Sequence, residues 1–371
     1  MDIGVVYPRF DCLGGSERFG LAMMREWSKE HDVTLYSLSI DASLLEKFHV
    51  DVKCVTCKTR VPFWKDNILP LMLAMKDLES QLGVHDCYLM NMFPANFINV
   101  RHSIWYPQEP ARVLYDMYPE LLARGDIPLY SKFFKRVYTP FIRFLDKRLN
   151  RAVRIVANSR YSAKYLSWVY GVGVSDVVYM GVDNVVNEPC NSRGDYILSV
   201  GRLVHAKRVD LAIRALKILP VDIKLKIVGE GECKNMLIGL VKDLGLENRV
   251  EFLGDKFGDE LDNLYQRGIC TVFTPIREPF GLVALESISQ GTPVVGCNTG
   301  GFTEILSDGM DAYLIEPTPE NIAKKIAALY YNKDLLHSMG SSGIEKSRSY
   351  LWSITADKLL NMLKDVSVSS H

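Results

Sequence analysis

Short apolar runs alternate with longer stretches of mixed polarity along nearly the whole chain. The runs at 3–6, 33–38, 51–55, 87–90, 153–157 and 177–180 have the length and apolar content of buried strands. Between several of them lie stretches with helical spacing of apolar positions, such as 16–30 and 159–170. A second series begins near Asp195, with strands predicted at 196–200, 225–228, 250–253, 271–273 and 294–296. Helices are predicted between them at 208–219, 232–244, 259–267 and 281–290. Alternating β and α units predict parallel sheets covered by helices on both faces. Two such series predict an α/β chain of two Rossmann-like, doubly wound domains. Segment 183–195 reads as the linker, because it gathers Asp183, Asn184, Asn187, Pro189, Asn191, Ser192 and Gly194. The expected division is 1–185 and 186–349, with the last helical stretch, within 350–371, packing back on the first domain. Ligands of open α/β sheets lie outside the carboxyl ends of the strands, so the two domains are expected to face a central cleft.

Composition narrows the function class. The 371 residues hold roughly two or three domains at about 150 residues each. The 44 Lys+Arg balance 44 Asp+Glu, which argues against a dedicated nucleic-acid binder. With 48% hydrophobic and 24% charged residues the chain is neither disordered nor fibrous. No run of about 18 apolar residues predicts a membrane span. Asp2 and the short run after it do not make a secretory signal, and a cytoplasmic location is expected. Of the eight cysteines only Cys54 and Cys57 form a C-x-x-C, and no second pair or spaced His pair completes a zinc site. The cysteines therefore read as buried reduced thiols, with no metal and no cofactor expected.

Four segments carry candidate chemistry. Gly14 and Gly15 follow the first strand and precede a helix, where backbone N–H groups and the helix dipole suit a phosphate. The spacing is not G-x-G-x-x-G, so no dinucleotide fingerprint is present. At 199–208 a strand ends at Gly201, and Arg202 and Lys207 follow before the next helix. Such a pair can neutralise a diphosphate, Arg by a bidentate fork and Lys as a point charge. At 277–286 Glu278 and Glu286 bracket Phe280, Gly281 and Leu282 at a helix start. The backbone there can hold a phosphate, and the two carboxylates can accept from sugar and ribose hydroxyls. At 290–304 a helix stop, a strand and Gly300-Gly301 form a further loop that can approach a ligand.

These segments together resemble the large retaining GT-B glycosyltransferase family, family 4. The resemblance rests on Glu278-Pro-Phe-Gly-Leu, Glu286, Gly291-Thr-Pro-Val-Val, Gly300-Gly301 and Glu304. Gly14-Gly15-x-Glu17, Ala157-Asn158-Ser159 and Ser199-Val-Gly-Arg202 with Lys207 extend it over nearly the whole chain. It implies a GT-B fold and a sugar-nucleotide donor held without a required metal. It also implies roles: Arg202 and Lys207 on the diphosphate, Glu286 on the ribose, Glu278 with the backbone at Phe280 and Gly281 on the transferred sugar, and Gly15 over the diphosphate. In the segment Tyr106-Pro-Gln108-Glu-Pro-Ala-Arg112, glutamine stands where many members have histidine. Gln108 can exchange hydrogen bonds but cannot titrate near neutral pH. Tyr106 and Arg112 are expected on the acceptor side, and the segment through Asp116 hints at mannose from GDP-mannose. The expected activity is retaining transfer of a hexose to a glycan or lipid-linked acceptor. A sugar-nucleotide epimerase would need further acid and base groups. A non-catalytic sugar-nucleotide-binding subunit is the alternative that Gln108 keeps open.

One segment breaks the even charge balance. Between 127 and 154, Lys132, Lys135, Arg136, Arg143, Lys147, Arg148, Arg151 and Arg154 meet a single acid, Asp146, with Tyr130, Phe133, Phe134, Tyr138, Phe141 and Phe144 interleaved. Basic and aromatic residues on an amphipathic stretch read as an interfacial helix, a buried helix with a solvated basic face, or a nucleic-acid groove. An anionic membrane surface is one candidate partner of 127–154 beside the buried-helix reading, and no nucleic acid is expected.

Overall fold

The computed structural model describes residues 1–65, 67–123, 129–150, 154–174 and 176–368. The chain divides into two compact units, one of Met1–Tyr179 with the segment from Trp352, the other of Met180–Leu351.

The first unit begins with β1 (Asp2–Tyr7), α1 (Gly15–Trp27), β2 (Asp32–Ser37), α2 (Ala42–Lys47) and β3 (Lys53–Thr56). It continues through α3 (Ile68–Glu79), β4 (Cys87–Asn91), β5 (Ser103–Tyr106), α4 (Tyr118–Ala123) and α5 (Leu129–Leu149). β6 (Arg154–Ala157), α6 (Arg160–Tyr170) and β7 (Asp176–Val177) follow. Among the described residues the strands form one parallel sheet in the order β3-β2-β1-β4-β5-β6-β7. The central strands are apolar on both faces, with Ile3, Val5, Val6, Leu89 and Met90 fully buried, as a helix-covered parallel sheet requires. Each such side chain contributes about 1.5–3 kcal/mol.

The second unit holds β8 (Tyr196–Val200), α7 (Val209–Ile218), β9 (Lys224–Val228), α8 (Lys234–Asp243), β10 (Val250–Gly254) and α9 (Asp259–Arg267). It closes with β11 (Thr271–Phe273), α10 (Leu282–Ser289), β12 (Val294–Cys297), β13 (Ala312–Ile315), α11 (Pro319–Tyr331) and α12 (Lys333–Ser347). Its parallel sheet runs β10-β9-β8-β11-β12-β13. Local chemistry sets the later helices. Thr318 caps α11 by accepting from Asn321 N–H at 3.2 Å with Pro319 in the first turn, and Asn332 caps α12 by accepting from Leu335 N–H at 2.9 Å. α13 (Trp352–Val368) then lies on the first unit. There Trp27 Nε1 donates to Ala356 O at 3.1 Å and Thr355 Oγ1 to Tyr179 O at 2.9 Å.

The linker segment contributes more than turns. Arg193 is mostly buried and donates to Gly268 O at 2.7 Å, Thr292 Oγ1 at 2.8 Å and the Gly291 carbonyl, and burial pulls its pKa down. It clamps the end of α9 to the turn before β12.

Several expectations change. β5 and β13 were not anticipated: Ala312–Ile315 is bounded by Asp311 and Glu316, and Ser103–Tyr106 sits between His102 and Pro107. The strand expected at 177–180 is two residues, Asp176–Val177. All eight cysteines are free thiols, yet Cys12 and Cys54 are exposed rather than buried. For Cys54 the reason is its edge strand, β3, whose outer positions face solvent. Burial pushes the thiols of Cys57 up to about 11 and of Cys87 and Cys270 up to about 12. Among the described residues no helix is long and apolar enough to cross a membrane.

Candidate functional site

In each sheet the strand order reverses at one place, between β1 and β4 in the first unit and between β8 and β11 in the second. Open α/β sheets bind ligands outside the carboxyl ends of strands at such a reversal. Gly14 and Gly15 follow β1 there, and Arg202, Lys207, Glu278 and Gly281 follow β8 and β11, whereas Tyr106, Gln108 and Arg112 belong to β5 and the loop after it.

In the second unit β8 ends at Gly201, whose φ of +133° requires glycine. Gly201 N–H donates to Val228 O at 3.0 Å, so the loop stays on the neighbouring strand before it turns. A short 3-10 turn, His205–Lys207, follows, and Arg208 enters α7 with a left-handed φ of +49°. Arg208 Nε donates to Thr274 O at 2.7 Å, and Ile276 N–H to Ala206 O at 2.7 Å. The loops after β8 and β11 are thus sewn together by one backbone hydrogen bond and one from the Arg208 side chain to a backbone carbonyl. Across that seam Lys207 Nζ donates to Glu278 Oε2 at 2.7 Å and lies 5.6 Å from the Phe273 ring centroid. Both partners are mostly buried, with side chains 21% and 15% exposed. Arg202 is exposed at the start of the same loop. Lys207 and Glu278, assigned separately to diphosphate and sugar from the sequence, are partners in this structure.

The helix start after Glu278 is built by packing. Gly281 is the N-cap of α10 at φ +88°, and a Cβ there would stand 2.6 Å from Phe302 Cβ. Phe302 and Phe280 are buried, and Phe302 packs edge-on against Phe273 with centroids 5.1 Å apart. Gly301 N–H donates to Glu278 O at 2.7 Å, and a Cβ on Gly300 would stand 3.0 Å from that oxygen. Gly300-Gly301 therefore fixes the Glu278 backbone. The first intrahelical bond runs from Ala284 N–H to Gly281 O at 2.9 Å, so the N–H groups of Leu282 and Val283 precede it. Glu286, one turn on, is buried and accepts from Tyr265 OH at 3.0 Å. That hydroxyl, supplied by α9, orients the carboxylate and was not foreseen.

The first unit contributes a separate set. Gly14 is the extended N-cap of α1, and a Cβ on Gly15 would meet nothing within 4 Å, so this helix start has room for a ligand. Gln108, at φ +63°, accepts from Asn158 Nδ2 at 3.3 Å, while its buried Nε2 makes no hydrogen bond among the described residues. Asn158 also accepts from Ser162 Oγ, and Ser159 caps α6 by accepting from Ser162 N–H at 3.0 Å. The Ala157-Asn158-Ser159 strand end is thereby joined to Gln108. Arg112 is engaged by Asp116 at 3.1 Å and Glu109 at 3.5 Å. Tyr106, expected on the acceptor side, is fully buried, stacks on Phe19 at 4.4 Å and donates to Val178 O at 2.7 Å. It is a core residue, because β5 turns it onto α1. His102 Nδ1 lies 2.8 Å from Val366 O on α13.

Sequence reasoning missed two further features. Asn91, at the carboxyl end of β4 beside the reversal, is fully buried, and among the described residues neither side-chain amide atom has a hydrogen-bond partner. The polar end of the apolar run 87–90 was its only signal. Gly229 and Gly231 lie against the loop after β8: a Cβ on Gly229 would run into the Gly201 carbonyl oxygen, and one on Gly231 would stand 2.5 Å from Leu203 O.

The basic segment forms α5, although 127–128 and 151–153 lie outside the described residues. Ile142 and Asp146 face inward. Asp146 accepts from Tyr115 OH at 2.7 Å, Tyr170 OH at 3.2 Å and Asn96 Nδ2 at 3.3 Å, yet burial pushes its carboxyl pKa up. Val137, Phe141 and Phe144 are exposed on the helix together with Arg136, Lys147 and Arg148.

Comparison with known proteins adds the following. Residues 185–346 match the family model described as Glycosyl transferases group 1. An uncharacterized glycosyltransferase of Methanocaldococcus jannaschii is 34% identical over 175 residues, covering 45% of this chain and 44% of that protein. The D-inositol 3-phosphate glycosyltransferase of Mycobacteroides abscessus is 28% identical over 264 residues, covering 65% of this chain and 56% of that protein. The chain spans about half the length of these curated relatives. The crystal structure of Anabaena Alr3699/HepE with UDP and glucose has a TM-score of 0.74 at 19% identity, covering 98% of this chain and 100% of that one. That likeness, with the two parallel sheets, shows the GT-B fold class of two Rossmann-like domains.

Proposed function

We propose that this protein is a glycosyltransferase that moves a hexosyl group from a nucleoside diphosphate sugar to a glycan or lipid-linked acceptor, with retention at the anomeric carbon. The observation that carries the proposal is the Lys207–Glu278 pair at the β8/β11 reversal, 2.7 Å apart, with the Gly281 helix start and Glu286 beside it in sequence. The group 1 match covers all of these residues. The similar structure that holds UDP and glucose supports a nucleoside diphosphate donor.

In this reading Arg202 and Lys207 neutralise the diphosphate, and the N–H groups at Gly281 and Leu282 add dipole stabilisation. Glu278, released from Lys207, accepts from hydroxyls of the transferred sugar together with the Phe280–Gly281 backbone. Glu286 takes the ribose hydroxyls while Tyr265 fixes its orientation. The acceptor oxygen bonds to the anomeric carbon as the bond to the diphosphate oxygen breaks on the same face. The electron pair goes to the diphosphate, which also receives the acceptor proton. Catalysis is then positioning plus stabilisation of leaving-group charge, met by side chains without a metal ion. Gln108 Nε2 serves as a donor to a substrate hydroxyl, and Gly14-Gly15 admits a phosphate to the start of α1. The exposed Val137, Phe141 and Phe144, flanked by Arg136, Lys147 and Arg148, support an anionic membrane surface as the partner of α5 in this reading.

The test is a panel of nucleoside diphosphate sugars, including GDP-mannose and UDP-glucose, with release of nucleoside diphosphate as readout. One donor is expected to be turned over by the wild type, and about 10²-fold more slowly by Lys207→Ala. Tight binding of a donor with no release or transfer in any combination would favour a non-catalytic binding subunit instead.

A further inference from the structure

The loops after the adjacent strands β8 and β9 are held together by their backbones. Leu203 N–H donates to Glu230 O at 2.8 Å, and Cys233 N–H donates to Leu203 O at 2.8 Å. Gly231 permits the approach, since a Cβ there would stand 2.5 Å from Leu203 O. This pairing brings three unlike donors together: the His205 imidazole, the Glu232 carboxylate and the Cys233 thiol. One ligand atom of each lies within 4.8 Å of the other two.

We propose that His205, Glu232 and Cys233 form a metal site that takes zinc. Zinc–ligand bonds of about 2.0–2.3 Å place tetrahedral ligand atoms about 3.3–3.8 Å apart, so small rotamer changes close the triangle. A nitrogen, a thiolate and one carboxylate suit zinc, whereas magnesium and calcium prefer oxygen alone. Three protein ligands leave a fourth position for water, and His205 and Glu232 are exposed, so an ion can enter from solvent. Cys233 is 3% exposed, which shields the sulfur side. The adjacent cation, Lys234, is held by Glu230 at 2.6 Å. On binding, the thiol loses its proton to solvent as the sulfur–metal bond forms, so uptake weakens at low pH. His205 lies between Arg202 and Lys207, so the ion staples their loop to the start of α8. The site itself stands without any assumption about the donor.

The experiment uses the full chain stripped with a chelator and titrated with cobalt(II), a spectroscopic substitute for zinc. Expected is a thiolate-to-cobalt charge-transfer band in the wild type that zinc abolishes by displacement. Cys233→Ser should lose the band, and His205→Ala and Glu232→Gln should bind about tenfold or more weakly. Zinc should raise the melting temperature of the wild type and not of Cys233→Ser. His205→Ala, at an exposed position, serves if Cys233→Ser fails to fold. Absence of the band in the wild type, its persistence in Cys233→Ser, or undiminished affinity in His205→Ala would overturn the proposal.

Discussion

Replacing Lys207 by methionine tests the reading of the site most directly. Methionine keeps much of the stem beside the Phe273 ring but removes the charge that meets Glu278 at 2.7 Å. Glu278, 15% exposed, is then left as a mostly buried carboxylate without its cation. A charge-assisted hydrogen bond contributes about 1.5–3 kcal/mol. The remaining exposure reduces this to about 1–2 kcal/mol, which lowers the melting temperature of a unit this size by about 2–8 °C. The same substitution removes one cation from the diphosphate in the bond-breaking step, for which a loss of about 10²-fold in turnover is expected.

The two effects separate in the double variant Lys207→Met/Glu278→Gln. Neutralising the orphaned carboxylate should restore much of the melting temperature, while turnover stays low because neither charged group is present. Thermal melts and nucleoside diphosphate release at saturating donor measure the two quantities on one preparation. Wild-type turnover in Lys207→Met would refute the diphosphate role. A double variant no more stable than the single one would refute the pairing as the source of the stability loss.

Arg202→Ala should cut turnover by a similar factor, about 10²-fold, but leave the melting temperature unchanged, because Arg202 is exposed; a clear drop in melting temperature would count against this. Gly229→Ala combines a φ of +126° with a clash on the Gly201 carbonyl. The φ alone costs about 1–2 kcal/mol, so an unchanged melting temperature would contradict the packing described. Asp146→Asn tests linkage: with its carboxyl pKa raised by burial, the folded wild type holds that proton more tightly than the unfolded chain and loses stability as pH rises from about 4 through the raised value. The melting-temperature difference, variant minus wild type, should therefore grow with pH and then level off, and a constant difference would rule out the linkage. The protein should co-sediment with anionic vesicles at low salt, less so at high salt, and Phe141→Ser/Phe144→Ser should weaken binding; no binding by the wild type at low salt would sink the membrane reading.

The sheet cores were legible because a parallel sheet buries both faces of its strands, which writes an unbroken apolar run such as 3–6 or 87–90. Of the strands that escaped notice, Ala312–Ile315 is bounded by Asp311 and Glu316, and Ser103–Tyr106 begins with a polar residue and is followed by Pro107. Its Tyr106 was misread for the same reason. In a motif it looks like a ligand-facing residue, whereas in a strand its place is set by alternation, and alternation puts it on Phe19. The helix caps at Thr318 and Asn332 carried plain local signals, but the helices behind them were not singled out from the sequence.

The site was legible in its parts and not in its pairing. Spacing identifies which residues follow a strand and open a helix, and so it finds Arg202, Lys207, Glu278 and Gly281 one loop at a time. It does not supply strand order, and only the order β9-β8-β11 sets Lys207 beside a residue 71 positions away. The same order sets Gly229 and Gly231 under the Arg202 loop, where any side chain would displace it. The pairing changes the chemistry. A lysine waiting in water for a diphosphate would give up hydration to bind it. In the proposed reading Lys207 instead gives up a carboxylate, the one assigned there to the transferred sugar. Donor binding then exchanges one charge partner for another at Lys207 and frees Glu278 in the same event, so breaking the pair offsets part of each new contact, and loss of either residue should weaken the donor less than loss of a contact made by an unpaired group would.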